Sequence, residues 1–415
     1  MPTSILRIAI VLAGFVAVAS GQELREPRRA ATVDPYTDAV PAAMAKAGYV
    51  SFGPFAFGFR HDTEAIEQLL PDEPLLWIET AHFRIGCALS SLPLRGDPEW
   101  VDRTKGELKR LKVRLPKIKA VVRELDPWLR THLIAQRCED LYLEICSNLS
   151  VDDGDFPAVD SPQAPGSDPD GDPRAFRGLG PCLGMPEKFS VLIVQSSASL
   201  ARYTRAFQGH ETQEMGRLLD LGFGNMIFAA AEASQDLYGN DFALHTHLVY
   251  NLAFSLYNSY RYHGHELPPW LVGGLSHWHA RRVCQRFPTF ERRGGADEIE
   301  SLDAWRWGER AQGLLGNRAF EPLEALMARS DVSGFGKEQH IQAWAFTDFL
   351  MSTRQAATMR FLHDLKDPFH AMRRPPSHPE LLDRMKKGLV RTFGLDAAGL
   401  EAAWRTHLLR GWPKK

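Results

Sequence analysis

The chain has 415 residues, 44% of them hydrophobic and 24% charged, a balance that supports a buried core. Its 49 Lys and Arg against 51 Asp and Glu leave a formal charge of −2, which excludes binding driven by a polyanion such as nucleic acid. Five cysteines without a C-x-x-C pair exclude a disulfide-built scaffold, and past the first twenty residues no apolar run approaches the roughly 18 residues of a membrane span.

Residues 1–21 have the anatomy of a signal peptide. Arg7 supplies the charge of a short n-region, Ile8 to Ala19 are apolar or glycine, and Ala17-Val18-Ala19 or Ala19-Ser20-Gly21 fits a small-residue cleavage site. The expectation is export, with a mature chain that carries no stable membrane span. Export permits disulfides, and Cys146 and Cys182, which flank a long polar stretch, are the preferred pair.

Residues 22–148 read as a mixed α/β region. The piece Gly53-Pro54-Phe55-Ala56-Phe57-Gly58-Phe59 is taken as a turn-rich packing segment. Leu75–Thr80 and His82–Cys87 are dense in β-favouring residues and predict strands. Leu108, Leu111, Leu115, Ile118 and Val122 recur at three- and four-residue steps, the seam of an amphipathic helix. Pro116 lacks the N–H that would bond to residue 112, so it should kink or split that helix. Nine Lys or Arg lie between Arg103 and Arg123 with Glu107 as the one acid, read as the helix's solvated side. A second helix is predicted from Trp128 to Cys146.

Residues 149–180 are rich in Asp, Gly and Pro, and such a composition predicts a mobile loop. Asp168, Asp170 and Asp172 alternate like the start of a calcium loop. Pro173 stands where the sharp turn needs Gly, however, and Leu179 where a bidentate Glu would close the cage.

Residues 181–415 form the last stretch. Phe189–Val194 and Asn225–Ala231 predict strands around a helix over 199–208, and from about residue 243 the periodicity is helical almost to the end. The fold class expected is α+β. Six of the fifteen histidines (His245, His247, His263, His265, His277 and His279) fall in residues 245–279. Two segments carry three of them: His245-Thr246-His247-Leu248-Val249-Tyr250-Asn251-Leu252-Ala253-Phe254, and Leu267-Pro268-Pro269-Trp270-Leu271-Val272-Gly273-Gly274-Leu275-Ser276-His277-Trp278.

The second segment resembles part of a motif of the peptidase MA-like (gluzincin) zinc metallopeptidases. These carry H-E-x-x-H on one helix and P-x-W-L-x-E-G on the next, roughly twenty residues on. In that family the two His and the later Glu ligate zinc, while the Glu beside the first His is the general base. The resemblance covers residues 185–410 and includes Gln342–Leu350 and a last helix with Leu400, Trp404 and Leu408 four apart. It implies a zincin-like scaffold preceded by the N-terminal mixed α/β region.

The catalytic letters are replaced. With His247 as the first ligand, Leu248 stands for the base and Asn251 for the second His. Sliding by three places Tyr250, Asn251 and Phe254 at the H-E-H positions. Both alignments put Gly273 at the third ligand, and spacing does not choose between them. His265-Glu266-Leu267-Pro268-Pro269 fails because a double Pro ends any shared helical face.

The expected function is therefore an exported degenerate metallopeptidase, a pseudoenzyme that binds a peptide or protein partner and needs no cofactor. The alternative is a metal-dependent hydrolase on relocated histidines, with zinc held by His247, His277, His245 or His279. A further alternative is a structural envelope or extracellular protein. No G-x-S-x-G elbow or phosphate-binding glycine loop follows a strand.

Overall fold

The computed structural model describes residues 33–158, 177–220, 222–232, 241–264, 266–287, 289, 306–317, 319–366 and 376–410. Residues 1–21, the 159–176 part of the expected mobile loop with its Asp168–Asp172 run, and His265 lie outside them.

The chain is α+β. It opens with α1 (Pro41–Ala47), a ribbon of β1 (Ala56–Gly58) and β2 (His61–Asp62), and α2 (Thr63–Leu69). Strands β3 (Leu76–Glu79) and β4 (Phe83–Cys87) precede α3 (Pro98–Arg114) and α4 (Pro127–Leu149), which are flanked by the paired β5 (Leu92–Pro93) and β6 (Glu124–Leu125). Next come β7 (Phe189–Val194), α5 (Ser197–Gln208), β8 (Gly216–Asp220) and β9 (Asn225–Ala231). The described remainder is helical: α6 (Asp241–Ser259), α7 (Pro269–Val283), α8 (Trp307–Gly316), α9 (Leu323–Met327), α10 (Lys337–Lys366), α11 (His378–Phe393) and α12 (Ala397–Leu409).

Five strands make one sheet in the order β3-β4-β7-β9-β8, with β4, β7 and β9 parallel and both edge strands antiparallel. Because strand side chains alternate between faces, each central strand feeds two cores. Along β7, Phe189, Val191 and Ile193 enter the larger core, and Leu192 and Val194 the smaller. On β9, Phe228 and Ala230 face the larger core, and Ile227, Ala229 and Ala231 the smaller. Helices α4 and α6 pack on the first face, and α5 on the second. No helix among the described residues is long and apolar enough to cross a membrane.

A buried charge network ties α6 to α4. Arg130 bonds to the Ser90 carbonyl at 2.5 Å and pairs with Glu232 and Asp241. Arg137 bonds to Glu107 at 2.7 Å and lies 3.9 Å from Asp241.

Several sequence expectations change. Pro116 does not kink a longer helix, because α3 has already ended at Arg114 with Leu115 at its C-cap. Leu115 and Ile118 are still buried, reached by a turn. Much of the basic run is spoken for locally: Arg110 pairs with Asp140, Lys117 with Asp38, and Arg114 bonds to Gln136. The acidic stretch is anchored at its start. Leu149 belongs to α4, and Asp153 opens a 3-10 turn whose carboxylate receives the Tyr142 hydroxyl at 3.1 Å and meets His82 Nε2 at 3.0 Å. The expected Cys146–Cys182 bond is absent. All five cysteines are buried and unbonded, and burial pushes the thiols of Cys146 and Cys182 up to about 12.

Candidate functional site between the edge strand and two helices

Strand β8 is the sheet's outer edge among the described residues, so one row of its backbone groups has no strand partner there. Its hairpin with β9 closes at Asp220, which accepts the Phe223 N–H at 3.0 Å, while Gly224 takes the left-handed φ of 78°. Arg217 on β8 pairs with Phe228 on β9. Paired residues share a face, and Phe228 faces the larger core, so the Arg217 side chain rises toward α6.

There it meets three residues of one helical stripe. Its guanidinium carbon lies 4.1 Å from the Phe254 ring centroid and 5.7 Å from that of Tyr250. A guanidinium N–H donates to Asn251 Oδ1 at 2.5 Å. Asn251 is oriented by its own amide, which donates to the His247 carbonyl at 2.8 Å. Tyr250 and Phe254 are one turn apart, and Asn251 lies beside them. Leu248 is fully buried on another side of the helix, within the core.

Helix α7 lies against α6 and α10. A Cβ built at the buried Gly273 would meet Val332 at 3.9 Å, an ordinary contact, with no nearer atom among the described residues. The next residue differs: a Cβ at Gly274 would fall 2.1 Å from Thr347 Oγ1 and 2.5 Å from the Ala343 carbonyl oxygen on α10. Gly274 permits the close crossing of α7 and α10.

The four candidate histidines do not converge. His277 is fully buried, and its Nδ1 meets Thr289 Oγ1 at 2.6 Å. Its Nε2 meets His340 Nδ1 at 2.9 Å, and its ring lies 4.6 Å from that of Tyr250. Burial, then the charges of His340, Arg281 and Arg217, hold His277 well below the usual histidine range. Burial and Arg217 bring His340 down to about 4. His245 points toward α3, 3.7 Å from Glu107, and is held well below its usual range by burial and then Arg137. His279 meets the Tyr257 hydroxyl at 3.0 Å and lies 3.5 Å from Glu144 on α4; burial and Arg282 bring it down to about 3. His247 is half-buried on the α6 stripe. Among the described residues no three His, Cys, Asp or Glu side chains are grouped to hold a metal ion.

Arg217 is the residue that the sequence did not single out. Gly216-Arg217-Leu218-Leu219-Asp220 lacks the alternation of a half-buried strand. The available signal was the glycine pair Gly222 and Gly224 ahead of a confident strand, which marks a hairpin and so a partner strand upstream.

Compared with known proteins, the chain matches no family model, no curated protein and no solved structure.

Proposed function

We propose that this is an exported, non-catalytic relative of the gluzincin peptidases that binds an extended peptide segment in the cleft between β8 and α6. The observation that carries the reading is the position of Arg217 beside the two replaced motif elements. Tyr250, Asn251 and Phe254 gather at its guanidinium, and Tyr250 also touches His277, one turn beyond Gly273. This favours the alignment that puts Tyr250, Asn251 and Phe254 at the H-E-H positions. The other alignment needs its base at Leu248, which lies in the core. Neither Tyr250, Phe254 nor Gly273 offers a zinc ligand of the usual kind, and the Asn251 amide takes no proton from water.

The cleft's binding capacity rests on β8. An open antiparallel edge offers main-chain hydrogen bonds to an added strand, and adjacent side chains supply selectivity. A hydrolase on relocated histidines needs about three protein ligands in one sphere. The separate partners of His245, His277 and His279 point away from that arrangement.

The test is metal analysis of protein purified without a histidine tag, together with hydrolysis of a mixed peptide library. The expected result is no stoichiometric zinc, no chelator-sensitive cleavage, and protection of the β8 amides from hydrogen exchange when peptide is present. Stoichiometric zinc lost on His247→Ala would overturn the reading.

A further inference from the structure

The half-buried guanidinium of Arg217 is poised between aromatic faces and a neutral amide, and among the described residues the groups that touch it supply no anion. Asn251 Oδ1 accepts one of its N–H groups, and rings flank it at 4.1 and 5.7 Å. Among the described residues no carboxylate lies within ion-pairing distance of it. Two neutral histidines are the next ionisable groups beyond Tyr250. His277 and His340 face each other at 2.9 Å, and both are held neutral in surroundings where the neighbouring charges are cationic. Arg281 lies behind them with its guanidinium 4.2 Å from the Trp307 ring and 4.7 Å from that of Trp344. Cation–π contacts and an amide offset part of the cost of desolvating a guanidinium, but they leave its charge uncompensated.

We propose that Arg217 is a carboxylate-binding residue, the anchor for an anionic group of the peptide laid along β8. Only one of its five N–H donors is engaged by Asn251, so the planar fork keeps the capacity for a two-point bond to a carboxylate. The Asn251 amide, fixed by the His247 carbonyl, holds the fork in one orientation. Phe254 is half-buried and continues the wall beside it, so the ligand's neighbouring atoms meet an apolar surface. The charge of Arg217 adds to the attraction and discourages a basic side chain at the same place. The ligand is thus a carboxylate, either a peptide's C-terminal group or an Asp or Glu side chain. This inference deepens the peptide-binding reading and rests on it for the rest of the ligand.

The experiment follows the guanidinium and β8 amide signals of the full mature chain by NMR. Four probes are titrated: sodium acetate, N-acetyl-tetraalanine with a free carboxylate, its C-terminal amide, and an amidated N-acetyl-Ala-Glu-Ala-Ala. Acetate should shift the signal that disappears in Arg217→Gln. A carboxylate-bearing peptide should bind at least tenfold more tightly than the neutral amide. Preference for the free terminus identifies the chain end as the source, and preference for the Glu peptide identifies the side chain. Arg217→Gln should abolish the difference, while Arg217→Lys should keep part of it, because charge remains without the fork. Equal binding of all three peptides, with no response to acetate, would overturn the carboxylate assignment and leave peptide binding standing. A response of Arg217 to acetate with no peptide shifting the β8 amides would keep the anion site and overturn the peptide cleft.

Discussion

Arg217 on the sheet edge and Asn251 on α6 are 34 residues apart in sequence and joined by a 2.5 Å hydrogen bond. The bond places a fixed positive charge over the α6 stripe of Tyr250, Asn251 and Phe254. On the proposed alignment, imidazoles give way to aromatic faces and a dication to a guanidinium.

That relationship distinguishes the two motif alignments by mutation. Leu248→Glu places a carboxylate in the apolar core with no partner, and we expect a loss of roughly 3–5 kcal/mol in urea unfolding. Tyr250→His, Asn251→Glu, Phe254→His and Gly273→Glu, combined with Arg217→Ala, should keep the fold and acquire micromolar or tighter zinc affinity by competition with a chromogenic chelator. A Cβ at Gly273 meets no clash among the described residues. Failure of the folded combined variant to bind zinc would count against this alignment.

The charge network beneath α6 makes a second prediction. Removing Arg130 leaves Glu232 and Asp241 facing each other without their shared cation. Arg130→Met should cost roughly 3–5 kcal/mol, as expected when one member of a buried pair is deleted. A chemical-denaturation loss below about 1 kcal/mol would show that the network relaxes freely.

Stability should fall on both sides of neutrality. Burial brings His279 down to about 3, and His340 and His363 down to about 4, against an unfolded value near 6.5. Folded values below the unfolded one mean that this contribution is complete above pH 6.5 and lost as pH falls toward 4 and then 3. His82 has the opposite sign. Burial disfavours its charge, but Glu139 at 2.7 Å and Asp153 at 3.0 Å outweigh that and raise its value. Its contribution is present below pH 6.5 and lost as pH rises through the elevated value. Urea midpoints measured from pH 4 to 9 should peak near neutrality, and His82→Gln should flatten only the alkaline limb.

Thiol counting tests the cysteines. Burial raises the thiols of Cys87, Cys138, Cys146, Cys182 and Cys284. The native protein should therefore react slowly with a disulfide reagent at pH 8. In denaturant without reductant all five should react, since none is bonded. A count of three would restore a disulfide, with Cys146–Cys182 the first pair to map.

Much of the framework was legible in the sequence for a physical reason. Phe189–Val194 and Asn225–Ala231 are apolar on both faces because both faces are covered, and they became β7 and β9 with those boundaries. The Trp128–Cys146 helix runs from Pro127 to Leu149, and Leu400, Trp404 and Leu408 form the buried side of α12. Each rests on local periodicity that packing then uses. The short β8 and the α1 and α2 helices, by contrast, have weak local signals and owe their form to neighbours.

The sequence by itself determined that H-E-x-x-H is absent and that two helical segments carry most of a histidine cluster. It could not determine which residues of α6 face β8. His247 and Asn251 are one turn apart, and so are Tyr250 and Phe254, and helical spacing treats the pairs alike. The tertiary structure decided it by laying β8 against one side of α6 and the core against Leu248. The direction of a helical stripe is a property of what packs around the helix, and Arg217 arrives there through strand pairing rather than through any spacing along the chain.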